Sequence, residues 1–345
     1  MMRIPCGVGE GYDFANETPN FTPLMNTPLN RRHFLRLAAL APLAAATPSH
    51  ALTAIPRAGG ASFRPGLNAY SFLEQLNANM ADAGKGMDLF GVCDFCAKHD
   101  IGAVDLTGNF FPGYPKAPAD RYVNRMKRYA HDRGITISGT GVKNDFATAD
   151  KAVRAEGVEL TKVWIEVAAR LGAPVVRVFA GPQTKMPTDW QAAANGAQRE
   201  DVEGWMAEAL RACAEHGEKF GVIVAVQNHG DFISTGPEHL SLLQRVNHEW
   251  CGPLVDTGKY FSDDPYADIA MMVPHAVNWQ IKETLGSSVK SPRTDFMKLA
   301  KIIHDGSYRG FVPIETLAMG RKDYDPAAEV VKVLTAMREA ISELK

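Results

Sequence analysis

Five cysteines in 345 residues are too few for a disulfide framework. Cys93 and Cys96 form a single C-x-x-C, and no second Cys/His pair of matching spacing follows to complete a zinc site. Their place inside the periodic stretch 87–99 makes them two small buried helix residues, with a redox pair or half a zinc site as the other reading. Excess charge is missing too. The 37 Lys and Arg against 39 Asp and Glu leave a formal −2, so no chain-wide basic surface exists and nucleic acid is not an expected partner. No G-x-G-x-x-G follows a strand and opens a helix. Gly139-Thr140-Gly141 comes closest and lacks the third glycine, which disfavours a dinucleotide-binding fold.

An apolar run long enough to cross a bilayer is also absent. The candidate, Leu37 to Ala46, is short and follows Asn30-Arg31-Arg32-His33-Phe34-Leu35-Arg36. Paired arginines, Phe-Leu, a short apolar stretch and the small-x-small Ser49-His50-Ala51 together resemble a twin-arginine export signal. An amphipathic helix is a poorer description, because Arg36 is the only charge from Phe34 to Ser49 and Pro42 and Pro48 interrupt the run. The chain therefore divides into an extension over 1–24, a signal over 25–54 and a domain over 62–345, with Met25 the more natural start. Export implies a periplasmic or secreted protein, cleaved rather than stably anchored in the membrane.

What the sequence has is rhythm. Short β-rich runs are expected at 67–72, 101–106, 135–139, 175–179, 222–226, 253–256, 276–282 and 311–315. Helical patterns lie between them, at 88–99, 119–133, 151–171, 200–220, 237–246, 265–273, 295–305 and 327–344. Repeated β-then-α units imply parallel strands and right-handed crossovers. Eight of them in one α/β domain match a (β/α)8 TIM barrel better than an open doubly wound sheet.

Active sites of such barrels sit at the C-terminal ends of the strands. Those ends carry Asp105, Lys143, Asn144, Arg177, Gln227, Asn228, His229, Asp256, Gln280, Lys282, Glu283 and Glu315. Oxygen donors from four strands, Gln227, Asp256, Gln280 and Glu315, suit a hard divalent ion such as Mn²⁺ or Mg²⁺. Lys282 follows Gln280 on the same strand face, since alternate residues point the same way. Arg177 suits a carboxylate, phosphate or hydroxyl of a substrate, or an internal salt bridge with Asp105 or Glu315. Trp279 faces away from Gln280 and packs between barrel and helices; Phe110, Phe111, Tyr114 and Tyr260 either stack on a ring or pack.

The segments VAVQNHGDF, PLVDTGKYFSDDPY, AVNWQIKE and GFVPIETL resemble the xylose isomerase-like TIM-barrel superfamily of sugar phosphate isomerases and epimerases, over roughly Pro65 to the C-terminus. The resemblance implies a divalent metal at Gln227, Asp256, Gln280 and Glu315. Two of the four depart from the family's pattern, where Gln227 is a glutamate and Gln280 a histidine. Weaker metal binding, or a metal-free sugar site, is the consequence. Family epimerases move a proton beside a ketose carbonyl with glutamates on opposite faces, and an amide cannot accept that proton. Glu315 remains as the implied base, with His229 and Lys282 as proton donors or oxyanion partners; His229 as a loop cap is the alternative. Asp105, Arg177, Asn228 and Glu283 are the implied substrate contacts. The leading expectation is an exported sugar isomerase or epimerase, assisted by a divalent metal, that abstracts a proton beside the carbonyl of an unphosphorylated keto-sugar or glycoside. A lyase or hydratase eliminating from 3-keto-glycosides, or a sugar-binding barrel without catalysis, are the alternatives, and a homo-oligomer stays open. The superfamily's endonuclease branch ranks last, because the His- and Glu-rich zinc cluster it needs is not at these strand ends.

Overall fold

Eight short runs, mostly buried along their length, form strands, and five of them end on a polar residue, Asn68, Thr107, Gln227, Asp256 and Gln280. The computed structural model describes residues 52–181, 190–286 and 290–344. In chain order the strands are β1 (Ser62–Asn68), β2 (Ala103–Thr107), β3 (Thr136–Gly141), β4 (Val175–Phe179), β5 (Ile223–Gln227), β6 (Cys251–Asp256), β7 (Asn278–Gln280) and β8 (Arg309–Ile314). They form one parallel sheet in the order β7-β6-β5-β4-β3-β2-β1-β8. The seam between β7 and β8 is closed by a parallel bridge, Ile281 to Ile314. There the Ile281 N–H donates to the Pro313 carbonyl at 2.8 Å and the Glu315 N–H to the Ile281 carbonyl at 2.9 Å. The result is a single-domain (β/α)8 barrel.

Helices α1 (Leu73–Ala81), α2 (Leu89–Lys98), α3 (Asp120–His131), α4 (Lys151–Leu171), α5 (Trp190–Ala193), α6 (Arg199–Phe220), α7 (Gly236–Val246), α8 (Pro265–Met272), α9 (Phe296–Asp305) and α10 (Pro326–Ser342) surround it. Their ends follow capping chemistry. Asp150 accepts from the Ala152 N–H at the start of α4, and Thr235 with Glu238 forms a capping box at α7. Cys93 and Cys96 sit on α2 with no exposed surface, and burial pushes the Cys93 thiol up to about 12. These are packing residues, not a reactive pair.

Several local features differ from the sequence expectation, among them the start of β1 at Ser62 rather than 67 and the short helix α5, which was not expected. The first strand ends at Asn68 rather than at Phe72: the Asn68 side chain accepts from the Tyr70 N–H at 2.9 Å, and the chain turns into a 3-10 helix over Ala69–Phe72. A helix not expected, α1, follows it. β7 is also only three residues long, with Ile281 joining by its single bridge. The expected extension over 1–24 lies outside the described residues, as does the signal over 25–54 apart from its last three. Residues 55–57, ahead of β1, are tied to the turn before β7. Ile55 N–H donates to the Pro274 carbonyl at 2.9 Å, and the Arg57 guanidinium to the carbonyls of Val273, Pro274 and Ala276.

Inside the barrel, apolar residues at the strand starts give way to polar ones at the strand ends. Val175, Ala225 and Leu254 form a small buried cluster. Two residues further along the same faces come Arg177, Gln227 and Asp256. Gly139 and Gly141 of β3 supply room for this change: a Cβ at Gly139 would collide with the Asp105 carboxylate, and one at Gly141 would lie 2.9 Å from Arg177 Nε. The pair of glycines without a third thus makes space for two buried charged side chains.

Candidate active site

The strand ends converge on a cavity of about 380 Å³, lined among others by Arg177, Gln227, His229, Gln280, Lys282 and Glu315. At its base is a buried polar network. Lys282 Nζ is in contact with Glu315 Oε1 and lies 3.5 Å from Asp256 Oδ2. Gln227 Nε2 donates to Asp256 Oδ2 at 2.8 Å and to Gln280 Oε1 at 2.6 Å. Gln227, Asp256, Gln280 and Glu315, four residues scattered along the chain, are therefore brought together, with Lys282 among them. Burial alone would lower the Lys282 pKa, but Asp256 and then Glu315 outweigh it and hold the ammonium above its ordinary range.

His229 lines the same cavity in the opposite protonation state. Burial, then the charges of Lys259, Arg177 and Lys282, hold its pKa well below the ordinary imidazole value, so it is neutral. Its Nδ1 is buried without a hydrogen-bond partner among the described residues, and its ring meets the edge of Phe179 at 4.6 Å.

Three residues expected as substrate contacts have structural partners below or behind the cavity and do not line it. Asn228 is wholly buried: its Nδ2 donates to the Asp256 carbonyl at 2.9 Å and its Oδ1 accepts from the Asp256 N–H at 2.8 Å, clipping β5 to β6. Asp105 accepts from Asn278 Nδ2 at 2.9 Å, and burial pushes its carboxyl up to about 6. Glu283 accepts from Arg321 Nη2 at 2.9 Å, tying the end of β7 to the loop after β8. Arg177 does line the cavity and has no salt bridge with Asp105 or Glu315; Nη1 donates to the Val142 carbonyl at 2.6 Å. Trp279 packs edge-on to Tyr308, while Phe110, Phe111 and Tyr260 are buried packing residues. Tyr70, Asn109 and Lys259 are lining residues that the sequence did not single out. Lys259 had a signal, three residues past Asp256 in a quoted motif. Tyr70 had none, since the 3-10 turn that places it was not foreseen.

As arranged, most of the donor set is engaged within the protein, although Gln227 Oε1 is buried without a partner among the described residues. Asp256 accepts only, so the Gln227 amide must turn its N–H groups toward it, and these also face the Gln280 oxygen. The two carboxylates already share an ammonium. Three of the four expected oxygen ligands, those of Asp256, Gln280 and Glu315, are thus bound to N–H donors. Among the described residues no three His, Cys, Asp or Glu side chains gather as a metal-binding group.

Residues 93–340 match the family described as xylose isomerase-like TIM barrel. The chain belongs to this family. Solved structures similar to this xylose isomerase-like barrel include a D-psicose 3-epimerase from Clostridium cellulolyticum H10 with D-tagatose, at 15% identity and a TM-score of 0.64, over 81% of this chain and 99% of that one. A 3-keto-D-glucoside 4-epimerase, YcjR, from E. coli is similar at 12% identity and 0.61, over 81% and 100%. A probable 3-DHS dehydratase, AsbF, from Bacillus anthracis follows at 14% and 0.57, over 79% and 98%. At these identities the likeness is one of fold. No curated protein matches the chain in sequence.

Proposed function

We propose that this protein is a sugar isomerase or epimerase that removes and returns a proton beside the carbonyl of an unphosphorylated keto-sugar or keto-glycoside. One observation carries the proposal: a single cavity presents a carboxylate, Glu315, an ammonium in contact with it, Lys282, and a neutral imidazole, His229. Glu315 takes the proton from carbon, and negative charge grows on the former carbonyl oxygen. Lys282, fixed as a cation in a water-poor site, is placed to stabilise that charge, a contribution of about 3–4 kcal/mol when such a donor is preorganised. His229, neutral, can carry the second proton between oxygens or back to carbon. Gln227 stands where a second carboxylate base would be, so the two faces of the substrate are served unequally. Lys282 supplies positive charge where the family pattern calls for Mn²⁺ or Mg²⁺, and either ion would have to displace it from Glu315.

Support for the class comes from fold relatives whose names are those of epimerases. The decisive experiment is solvent-deuterium exchange followed by NMR over a panel of ketoses and 3-keto-glycosides. Exchange is expected to survive chelator treatment and to show no step near the ordinary imidazole pKa of ~6.5. Loss of exchange on chelation, restored by Mn²⁺, would overturn the role given to Lys282.

A second reading, elimination from 3-keto-glycosides, shares the first step and then expels the aglycone. It is favoured by a groove of about 830 Å³ lined by Val153, Leu160 and Val163, which shares Lys143 with the cavity and offers an apolar place for an aglycone. An unsaturated product in the same NMR panel would select it. Export by the twin-arginine route, which would bring the protein to free sugars and glycosides, belongs to the same proposal. A reporter fused behind residues 1–54 is expected to stay in the cytoplasm once Arg31 and Arg32 are both lysine; unchanged export would remove that part.

A further inference from the structure

One buried guanidinium lining the cavity, that of Arg177, forms no direct salt bridge among the described residues. Arg177 and three lysines, 143, 259 and 282, line the cavity against a single lining carboxylate, Glu315. Two of these lysines have partners: Lys282 is matched by Glu315 and Asp256, and Lys259 is not free. Lys143 stands exposed at the rim. Arg177 is only 7% exposed. Its described contacts are the Val142 carbonyl and the Phe179 ring, whose centroid lies 4.0 Å from the guanidinium carbon. No carboxylate forms a salt bridge with it among the described residues.

A guanidinium held out of water with no carboxylate in direct contact is an unfavourable arrangement for folding alone. Burial lowers its pKa, as expected for a desolvated cation, with Asp105 and Glu315 only partly opposing. The fold nonetheless provides for it: Gly141 leaves it space, and Phe179 lies beneath its plane. A side chain so positioned and so little compensated is suited to an anion that arrives with the ligand.

We propose that the sugar bound here is an acid, a keto-sugar bearing a carboxylate that pairs with Arg177. The planar fork of a guanidinium matches the two coplanar oxygens of a carboxylate. A carboxylate also brings only one negative charge to a site that already holds the buried carboxylates Asp105, Asp256 and Glu315, whereas a phosphate ester brings up to two and three acceptor oxygens. The cavity is within the size range of small-molecule sites. The inference rests on the proposed enolisation for the reaction such an acid undergoes, but not for its binding.

Titration calorimetry tests it: glucose, glucuronate and glucose 6-phosphate against the native protein, Arg177→Gln and Arg177→Lys. Glucuronate is expected to bind about tenfold or more tightly than glucose. That advantage should vanish in Arg177→Gln, persist in part in Arg177→Lys and shrink with salt only modestly, because the pair is buried. Equal affinity for glucose and glucuronate, an advantage undiminished in Arg177→Gln, or a preference for the phosphate over the uronate would each overturn the proposal. Should Arg177→Gln fail to fold by circular dichroism, the native probe ratios and Arg177→Lys decide. Deuterium exchange separates the two proposals. A glucuronate advantage without exchange into any keto-acid ends the enolisation reading and leaves this one, whereas exchange into neutral ketoses without that advantage does the reverse.

Discussion

Glu315→Gln is expected to reduce solvent-deuterium exchange into the substrate by about 10²–10⁴-fold while the barrel stays folded. The substitution keeps the side chain's shape and hydrogen-bonding oxygen but removes the ability to accept a proton from carbon. Lys282 retains Asp256 at 3.5 Å, so its buried charge is not left alone. Some loss of stability is still expected, because one half of a buried pair has been neutralised. Thermal denaturation and circular dichroism separate the two effects: a folded protein without exchange supports Glu315 as the base. Undiminished exchange in this variant would transfer that role to His229.

Lys282→Met is expected to act on three observables together. Removing the ammonium leaves Glu315 and Asp256 buried and mutually repelling, a loss of about 3–5 kcal/mol by analogy with other broken buried pairs. Exchange should fall by about 10²–10³-fold if Lys282 stabilises the growing oxyanion. Affinity for Mn²⁺ should rise about tenfold or more, since the two carboxylates lose the cation they share. Metal affinity that stays as weak as in the native protein would argue against Lys282 holding the ion's place.

The pH dependence has a definite sign. The folded pKa of Lys282 lies above its unfolded value of ~10.4, so its stabilising contribution is complete below that value and is lost only as pH rises through the higher folded pKa. In Lys282→Met the two carboxylates bind protons more readily in the folded state, so the variant should regain stability as pH falls, a trend measurable by urea unfolding at several pH values.

The barrel was legible because eight strand-like runs and their helices leave strong periodic signals, and because strand ends in such a barrel share one mouth. Period-two alternation was enough to put Lys282 on the same face as Gln280. It could not say that the ammonium would reach Glu315, because that depends on side-chain torsions and on the register at the β7–β8 seam. Asn228 illustrates the opposite failure: next in sequence to Gln227, it looks equally available, yet its amide is occupied by the backbone of Asp256. Asp105 is hidden for a similar reason, tucked behind Gly139 rather than open to the cavity. Tyr70 was illegible because a single side-chain hydrogen bond, from its own N–H to Asn68, ended the first strand early.

The two glycines of β3 also restrict how this barrel could be re-engineered. Since even a methyl group at Gly139 would strike Asp105 and one at Gly141 would crowd Arg177, neither position offers a foothold for laboratory evolution. Variation in specificity would have to come from loops above the mouth, with this stave of the barrel left unaltered.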